Sequence, residues 1–348
     1  AVRPQLAGAG RWLAVPSVLW FGASDQALRF VCGAGTALSA LALMGILPGP
    51  CFLGLWALYL SMCAPGQEFL SFQWDTLLLE TGVLAFLWSP ARAWWGVSPE
   101  REPSRAVLWL NRWLLFRLIF ESGCVKLLSG DPSWRSLTAM HFHFETQCLP
   151  TWAAWHAHQL PGWFKTLSTV GTLGIELAVP FLIFAPRLPR MLAFWPLLGL
   201  QILIAATGNY CFFNLLAAAL CLTLLDDAAL GPFLPERLER AASAPSGEAA
   251  QGRGIRDRLE GLQRGLEAGF ERGRPWLLAP VAALLIAVTG AQLLSMLGGA
   301  GLVPTFAHRL VALAEPFRSS NRYGLFAVMT TTRPEIVLAD NSAGFGAG

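Results

Sequence analysis

Eight apolar stretches of helix length run through this chain, and they constrain its fold more than any other feature. A membrane-spanning helix needs about 20 mostly apolar residues, because the hydrocarbon core of a bilayer is about 30 Å thick. Several stretches are shorter, and the second follows a Pro-Gly-Pro turn, so it could form half of a re-entrant hairpin. The pattern predicts an all-α polytopic membrane protein with about eight transmembrane helices and an ordered outward loop. The stretches are Ala27–Leu47, Cys51–Met62, Phe69–Trp88, Val107–Leu128, Leu167–Phe184, Leu188–Thr207, Cys211–Leu225 and Trp276–Leu297.

Charged residues are too scarce to cover a water-facing surface. They make up 14% of the chain, whereas soluble domains carry about 25%. A lipid bilayer is therefore the expected environment. The net charge of +3, without a dense basic run, argues against nucleic-acid binding. The seven cysteines form no CxxC pair and lie mostly in apolar stretches, which argues against a disulfide scaffold and a zinc site. No cofactor is expected.

Arginines are concentrated in three alternate loops, which hold 13 of the 25 basic residues. Cytoplasmic loops of membrane proteins carry such an excess, so these loops are expected on the cytoplasmic side. The N-terminus, the loop 129–166, the turn 208–210 and the tail after residue 298 are then expected to face outward. The arginines concerned are Arg92, Arg101, Arg105, Arg187, Arg190 and the eight from Arg237 to Arg274.

The charge distribution divides the chain into four parts. Residues 1–225 are expected to form the transmembrane bundle with its outward loop, and 226–275 a cytoplasmic linker. Apolar residues recur every three or four positions over 255–272, which predicts an amphipathic helix. That helix lies either on the inner leaflet or against the bundle as a solvated linker. Residues 276–297 are the last predicted span, and 298–348 an outward tail that begins a truncated β-rich domain.

Seven polar side chains stand inside or at the ends of the apolar stretches. A charge there costs about 2.5–3.5 kcal/mol on insertion scales, so such residues need a reason. One interpretation is structural: acids and bases on neighbouring helices pair and fix the packing. The other is an ionisable site that opens to the outer side. The residues of this intramembrane polar network are Gln73, Asp75, Glu80, Arg117, Glu121, Lys126 and Glu176.

Lys126 is one of two lysines in an arginine-rich chain, and a buried lysine can become a neutral base, which arginine cannot. It is the candidate catalytic base, with His143, Glu145 and His158 of the outer loop as further candidates. The loop carries two His-x-His pairs, which in principle suit a metal. Histidines in such loops more often bond the backbone or sit at the membrane interface, so no metal site is predicted.

Six longer motifs resemble the lipase maturation factor family, and together they run through most of the chain. They are long and largely polar, so chance similarity is a poor explanation. The motifs cover residues 69–82, 115–134, 143–147, 157–161, 207–216 and 321–336.

This resemblance implies a multi-pass membrane protein that acts as a chaperone-like maturation factor for exported clients such as lipases. Animal members of the family sit in the endoplasmic reticulum, where they help secreted homodimeric lipases to fold and assemble. A bacterial member would lie in the inner membrane. The family usually continues past residue 333 into a soluble β-rich domain, so the chain is interpreted as a bacterial-type fragment without that domain and without a first helix.

A second, weaker resemblance concerns the segment from Gly123 to Trp134. It is similar to the lysine-bearing transmembrane segment of vitamin K-dependent carboxylases, in which the lysine is a catalytic base. Two functions therefore stay open at this point. One is a maturation factor, and the alternative is an integral membrane enzyme that uses Lys126 as base in an outward-facing site.

Overall fold

The computed structural model describes residues 10–89, 104–233 and 255–335. Within these ranges it contains helices and no strand, and one isolated bridge pairs Pro150 with Gly208. The predicted all-α class is confirmed. The helices are α1 Gly10–Ala14, α2 Asp25–Leu43, α3 Pro48–Gly66, α4 Gln73–Trp88, α5 Arg105–Leu128, α6 Pro132–Arg135, α7 Ala139–Thr146, α8 Trp152–His158, α9 Gly162–Leu177, α10 Arg187–Thr207, α11 Phe213–Cys221, α12 Asp227–Leu230, α13 Ile255–Gly298 and α14 Thr305–Ala314.

Four of the described helices are long and apolar enough to cross a membrane. Two shorter apolar helices, Pro48–Cys63 and Phe213–Leu224, accompany them. The chain is therefore a multi-pass membrane protein, as predicted, while eight spans and their orientation remain predictions. The four segments are Asp25–Leu43, Gly162–Phe184, Arg187–Thr207 and Leu278–Gly298.

Helix α5 is the centre of the bundle. It packs against α4, α9, α11 and α13, and most of its side chains from Leu110 to Lys126 are buried. The surrounding helices shield its charged side chains from lipid, which explains how a central helix can carry them. Apolar side chains of α5 and of the surrounding helices form the main hydrophobic core. Its members include Leu77, Leu114, Leu118, Leu197, Ala217, Leu220 and Leu224.

Two helix boundaries differ from the sequence pattern. The apolar stretch from Phe69 begins in a short 3-10 helix, Gln67–Leu70, and becomes α-helical only at Gln73. The Asp75 carboxylate accepts a hydrogen bond from the Phe72 backbone amide (2.9 Å) and so caps the start of α4. Helix α13 runs from Ile255 to Gly298 without a break. It joins the predicted amphipathic segment 255–272 to the predicted last span. The side chains of that segment lie outside the described ones, so its apolar face stays a prediction.

The bundle has two chemically different ends. We call one the loop face, formed by residues 129–161, 208–212 and 326–335, which contact one another at several points. At the opposite end, Arg190 donates to the Leu224 carbonyl (3.0 Å) and Arg187 pairs with Asp226. Most of the arginine-rich loops, residues 90–103 and 234–254, lie outside the described residues.

Candidate functional site

The deepest polar contacts join helices α4 and α5 to the C-terminal segment 318–335. Arg117 donates to Glu80 in a buried ion pair. Glu80 Oε2 also accepts hydrogen bonds from the Asn321 backbone amide (3.0 Å) and from the Tyr323 hydroxyl (2.8 Å). Arg117 in turn donates to the Asn321 carbonyl at 2.9 Å. Glu80 and Arg117 therefore pair with each other, and both bind the backbone of Asn321.

Two more polar side chains hold the next residues of that segment. Glu121, fully buried, accepts a hydrogen bond from the Tyr323 amide at 2.7 Å. Gln73 Oε1 accepts one from the Gly324 amide at 3.1 Å. A side chain on Gly324 would lie 3.1 Å from Val125 of α5, so the segment runs close against the bundle. Side chains of α4 and α5 thus bind the backbone of residues 321–324. We call the whole segment 318–335 the strap.

Asp75 has a local partner. Its carboxylate accepts a hydrogen bond from the Tyr59 hydroxyl of α3 at 2.6 Å, besides capping α4. It does not meet Lys126. The structure gives the two residues different neighbours.

Lys126 pairs with Glu176 of α9, and the nitrogen lies 2.8 Å from one carboxylate oxygen. The ammonium group also donates to the Ser122 carbonyl at 3.1 Å and lies 5.2 Å from the centre of the Trp134 ring. Lys126 is 1% exposed. A general base needs a free lone pair and access to a substrate. This ammonium is enclosed and counter-charged, so the geometry fits an ion pair that fixes α5 against α9 and does not favour proton abstraction.

At the loop face, Asp131 connects the strap to the end of α5. Its carboxylate accepts hydrogen bonds from the amides of Met329 and Ser133. Partial burial acts to raise the pKa of this carboxyl, but the amide donors outweigh it and hold the pKa below its ordinary value. The Trp134 indole donates to the Phe326 carbonyl at 2.9 Å. The loop face is therefore built jointly by residues about 190 positions apart.

The outer-loop candidates have different surroundings. His143 is buried beside the Phe326 ring, at 5.0 Å between ring centres. Burial, with a smaller effect from the charge on Lys126, lowers the His143 pKa to about 4. His158 Nε2 lies 2.8 Å from the Glu145 carboxylate at a half-exposed position. Among the described residues, no three His, Cys, Asp or Glu side chains form a group that could hold a metal ion.

Sequence reasoning did not identify the strap residues as partners of the buried charges. Asn321 and Tyr323 belong to the motif 321–336, which the sequence analysis used only for the family resemblance. Nor did it identify Gln201 and Asn214, which are buried and bonded to each other at 2.9 Å. Both lie in apolar helices, where a lone amide is costly without a partner.

The fold and the buried contacts define a polytopic helical membrane protein whose ionic interior anchors its own C-terminal segment. The family model of the lipase maturation factor transmembrane domain matches residues 4–232. The chain belongs to the lipase maturation factor family.

Proteins named lipase maturation factor 1 and lipase maturation factor 2 both match this chain. Lipase maturation factor 2 of Xenopus tropicalis is 48% identical over 235 residues, which cover 64% of this chain and 33% of that protein. Lipase maturation factor 1 of Mus musculus is 32% identical over 343 residues, which cover 95% of this chain and 56% of that protein. The chain thus spans between a third and a little over half of these relatives. No solved structure matches it.

Proposed function

We propose that the chain is the membrane-embedded part of a maturation factor that assists the folding and assembly of secreted lipases. The observation that supports this is the family match over residues 4–232. In addition, an alignment with lipase maturation factor 1 of Mus musculus covers 95% of the chain. In a eukaryotic source the membrane would be that of the endoplasmic reticulum, and in a bacterium the inner membrane.

The loop face is the side we propose for contact with clients. Arg187 and Arg190 of α10 lie at the opposite end of the bundle, and the positive-inside rule favours the cytoplasm for that end. The loop face would then meet exported proteins. Within the loop face, the outer loop and the strap are joined by hydrogen bonds from Thr146 to the Thr330 carbonyl and from Arg333 to the Glu145 carbonyl.

The loop face also offers the chemistry that a partly folded client needs. Trp152 and Trp155 of α8 are 80% and 63% exposed. Next to Trp155 lies an open cleft of about 520 Å³ that carries Glu145, His158 and Arg333. Apolar side chains beside a polar cleft resemble the aromatic anchors and polar rims of protein interfaces. The alternative function, an enzyme with Lys126 as base, has no comparable support.

The test uses cells that lack lipase maturation factors and secrete a homodimeric lipase. The chain, or its variant with Trp152→Ala and Trp155→Ala, is expressed, and lipase activity per mass of lipase protein is measured in the medium. We expect the chain to raise this ratio and the double variant to lose most of the gain. The matched control is Trp195→Ala, since Trp195 is exposed on the apolar helix α10.

Direct contact is tested with a photoreactive amino acid at position 155 or, as control, at position 195. Crosslinks to the lipase at 155 and none at 195 support the proposal. Equal lipase activity with and without the chain, or client crosslinks at neither position, would contradict it.

A further inference from the structure

A small cavity of mixed polarity lies inside the bundle, just below the loop face. It has a volume of about 140 Å³ and is enclosed by α4, α5, α9, α10, α11 and the strap. Its walls are largely apolar, but six polar side chains converge on it. They are Gln73, Ser122, Glu176, Gln201, Tyr210 and Asn214.

Two of these side chains keep unused hydrogen-bonding groups. Gln201 is 4% exposed and Asn214 is 6% exposed, and the Asn214 amide donates to Gln201 Oε1 at 2.9 Å. This bond uses neither Gln201 Nε2 nor Asn214 Oδ1, and no other hydrogen bond among the described residues involves these two atoms. A buried amide left half-bonded costs free energy. The cavity wall therefore presents at least one donor and one acceptor to an occupant.

The net charge of the wall is close to zero. Among the described residues that line the cavity, Glu176 is the one carboxylate, and Lys126 compensates it at 2.8 Å. A charged occupant would enter a low-dielectric space without a counter-charge, which is strongly unfavourable. A neutral group that both donates and accepts hydrogen bonds fits the wall, and a hydroxyl group has this property.

The size and the position of the cavity limit the occupant further. At ~30 Å³ for each water-sized group, 140 Å³ holds about five such groups, which corresponds to a glycerol-sized end. Ser122 stands six residues before the end of α5, and Gln201 six before the end of α10, so both lie about 9 Å below the helix ends. Phe72, an exposed lining residue, marks the way out at the start of α4.

We propose that this cavity binds the uncharged hydroxyl end of a membrane amphiphile, with Gln201 and Asn214 as its hydrogen-bonding partners. The glycerol end of a neutral acylglycerol matches the volume, the charge and the depth. Its acyl chains would leave past Phe72 into the bilayer. Leu325 and Phe326 of the strap form part of the same wall, so an occupant would also contact the strap.

The test uses the purified full chain in detergent and a diacylglycerol with a free hydroxyl and a diazirine in one acyl chain. The matched probe has the same chains and a methylated hydroxyl. We expect the free hydroxyl probe to label peptides of α10 and α11, and the methylated probe to label them about tenfold less. Gln201→Leu and Asn214→Leu should each abolish the difference between the probes.

Asn111→Leu is the matched control, because Asn111 is a buried amide of α5 that bonds its own helix and does not line the cavity. It should leave labelling unchanged. Competition on the unaltered chain keeps the test decisive if a leucine variant does not accumulate. Displacement by unlabelled diacylglycerol supports a glycerolipid, and displacement by cholesterol alone supports a sterol hydroxyl. Equal labelling by both probes, or displacement by neither lipid, overturns the proposal.

Discussion

The Tyr323 hydroxyl donates to the Glu80 carboxylate at 2.8 Å, although 243 positions separate the two residues in the chain. Both are buried, and Glu80 is at the same time the counter-ion of Arg117. One carboxylate therefore links helix α4, helix α5 and the strap. The integrity of the bundle and the position of the strap at the loop face depend on the same contact.

Loss of the Glu80 charge should strongly destabilise the protein. Glu80→Gln leaves the Arg117 guanidinium without its counter-ion in the interior, at a cost of about 3–5 kcal/mol. We expect a clearly lower temperature of unfolding in detergent, followed by intrinsic tryptophan fluorescence. Glu315→Gln, at an exposed position, should have no measurable effect. A Glu80→Gln protein as stable as the parent would show that the pair is not essential.

The strap should loosen when Glu121 can no longer accept the Tyr323 amide. Glu121→Leu leaves that N–H unpaired in the interior, which costs about 1–3 kcal/mol. We expect trypsin cleavage after Arg322 to rise severalfold in limited proteolysis. Cleavage after the exposed Arg135 in the same digest provides the reference and should not change. Protection of Arg322 equal to that in the parent would contradict a holding role for Glu121.

Lys126 and Glu176 should depend on each other. Lys126→Met leaves a buried carboxylate uncompensated and Glu176→Met leaves a buried ammonium uncompensated, so each should cost about 3–5 kcal/mol. The double variant removes both charges and should recover much of that loss. The measurement is a double-mutant cycle on thermal stability in detergent. Additive effects of the two changes would argue against the pair.

Acidification should destabilise the loop face through His143. Burial lowers the His143 pKa to about 4, whereas an unfolded histidine titrates near 6.5. The unfolded chain therefore binds the proton first, and the free energy of unfolding falls as the pH drops from about 6.5 to 4, by up to about 3 kcal/mol. His143→Phe should flatten this part of the pH profile of thermal stability. An identical profile in His143→Phe and His141→Phe would locate the effect elsewhere.

The pairing of the buried charges shows where sequence reasoning reaches its limit. Gln73 and Glu80 are seven residues apart, which is two helical turns, so the sequence predicts that they share one face of a helix. Both side chains bond the strap. The choice of partner did not follow from spacing, because it depends on how each helix is rotated toward its neighbours. Lys126 meets Glu176, Asp75 meets Tyr59, and Glu121 binds the strap.

The sequence by itself determined the all-α membrane class and the family, because apolar length and long polar motifs are local properties of the chain. The tertiary structure alone decided that α5 is central, that Glu80 and Glu121 hold the strap, and that Gln201 and Asn214 share a cavity. These contacts join residues far apart in sequence. In a low-dielectric interior, each buried polar group has to find whichever partner the packing brings within reach.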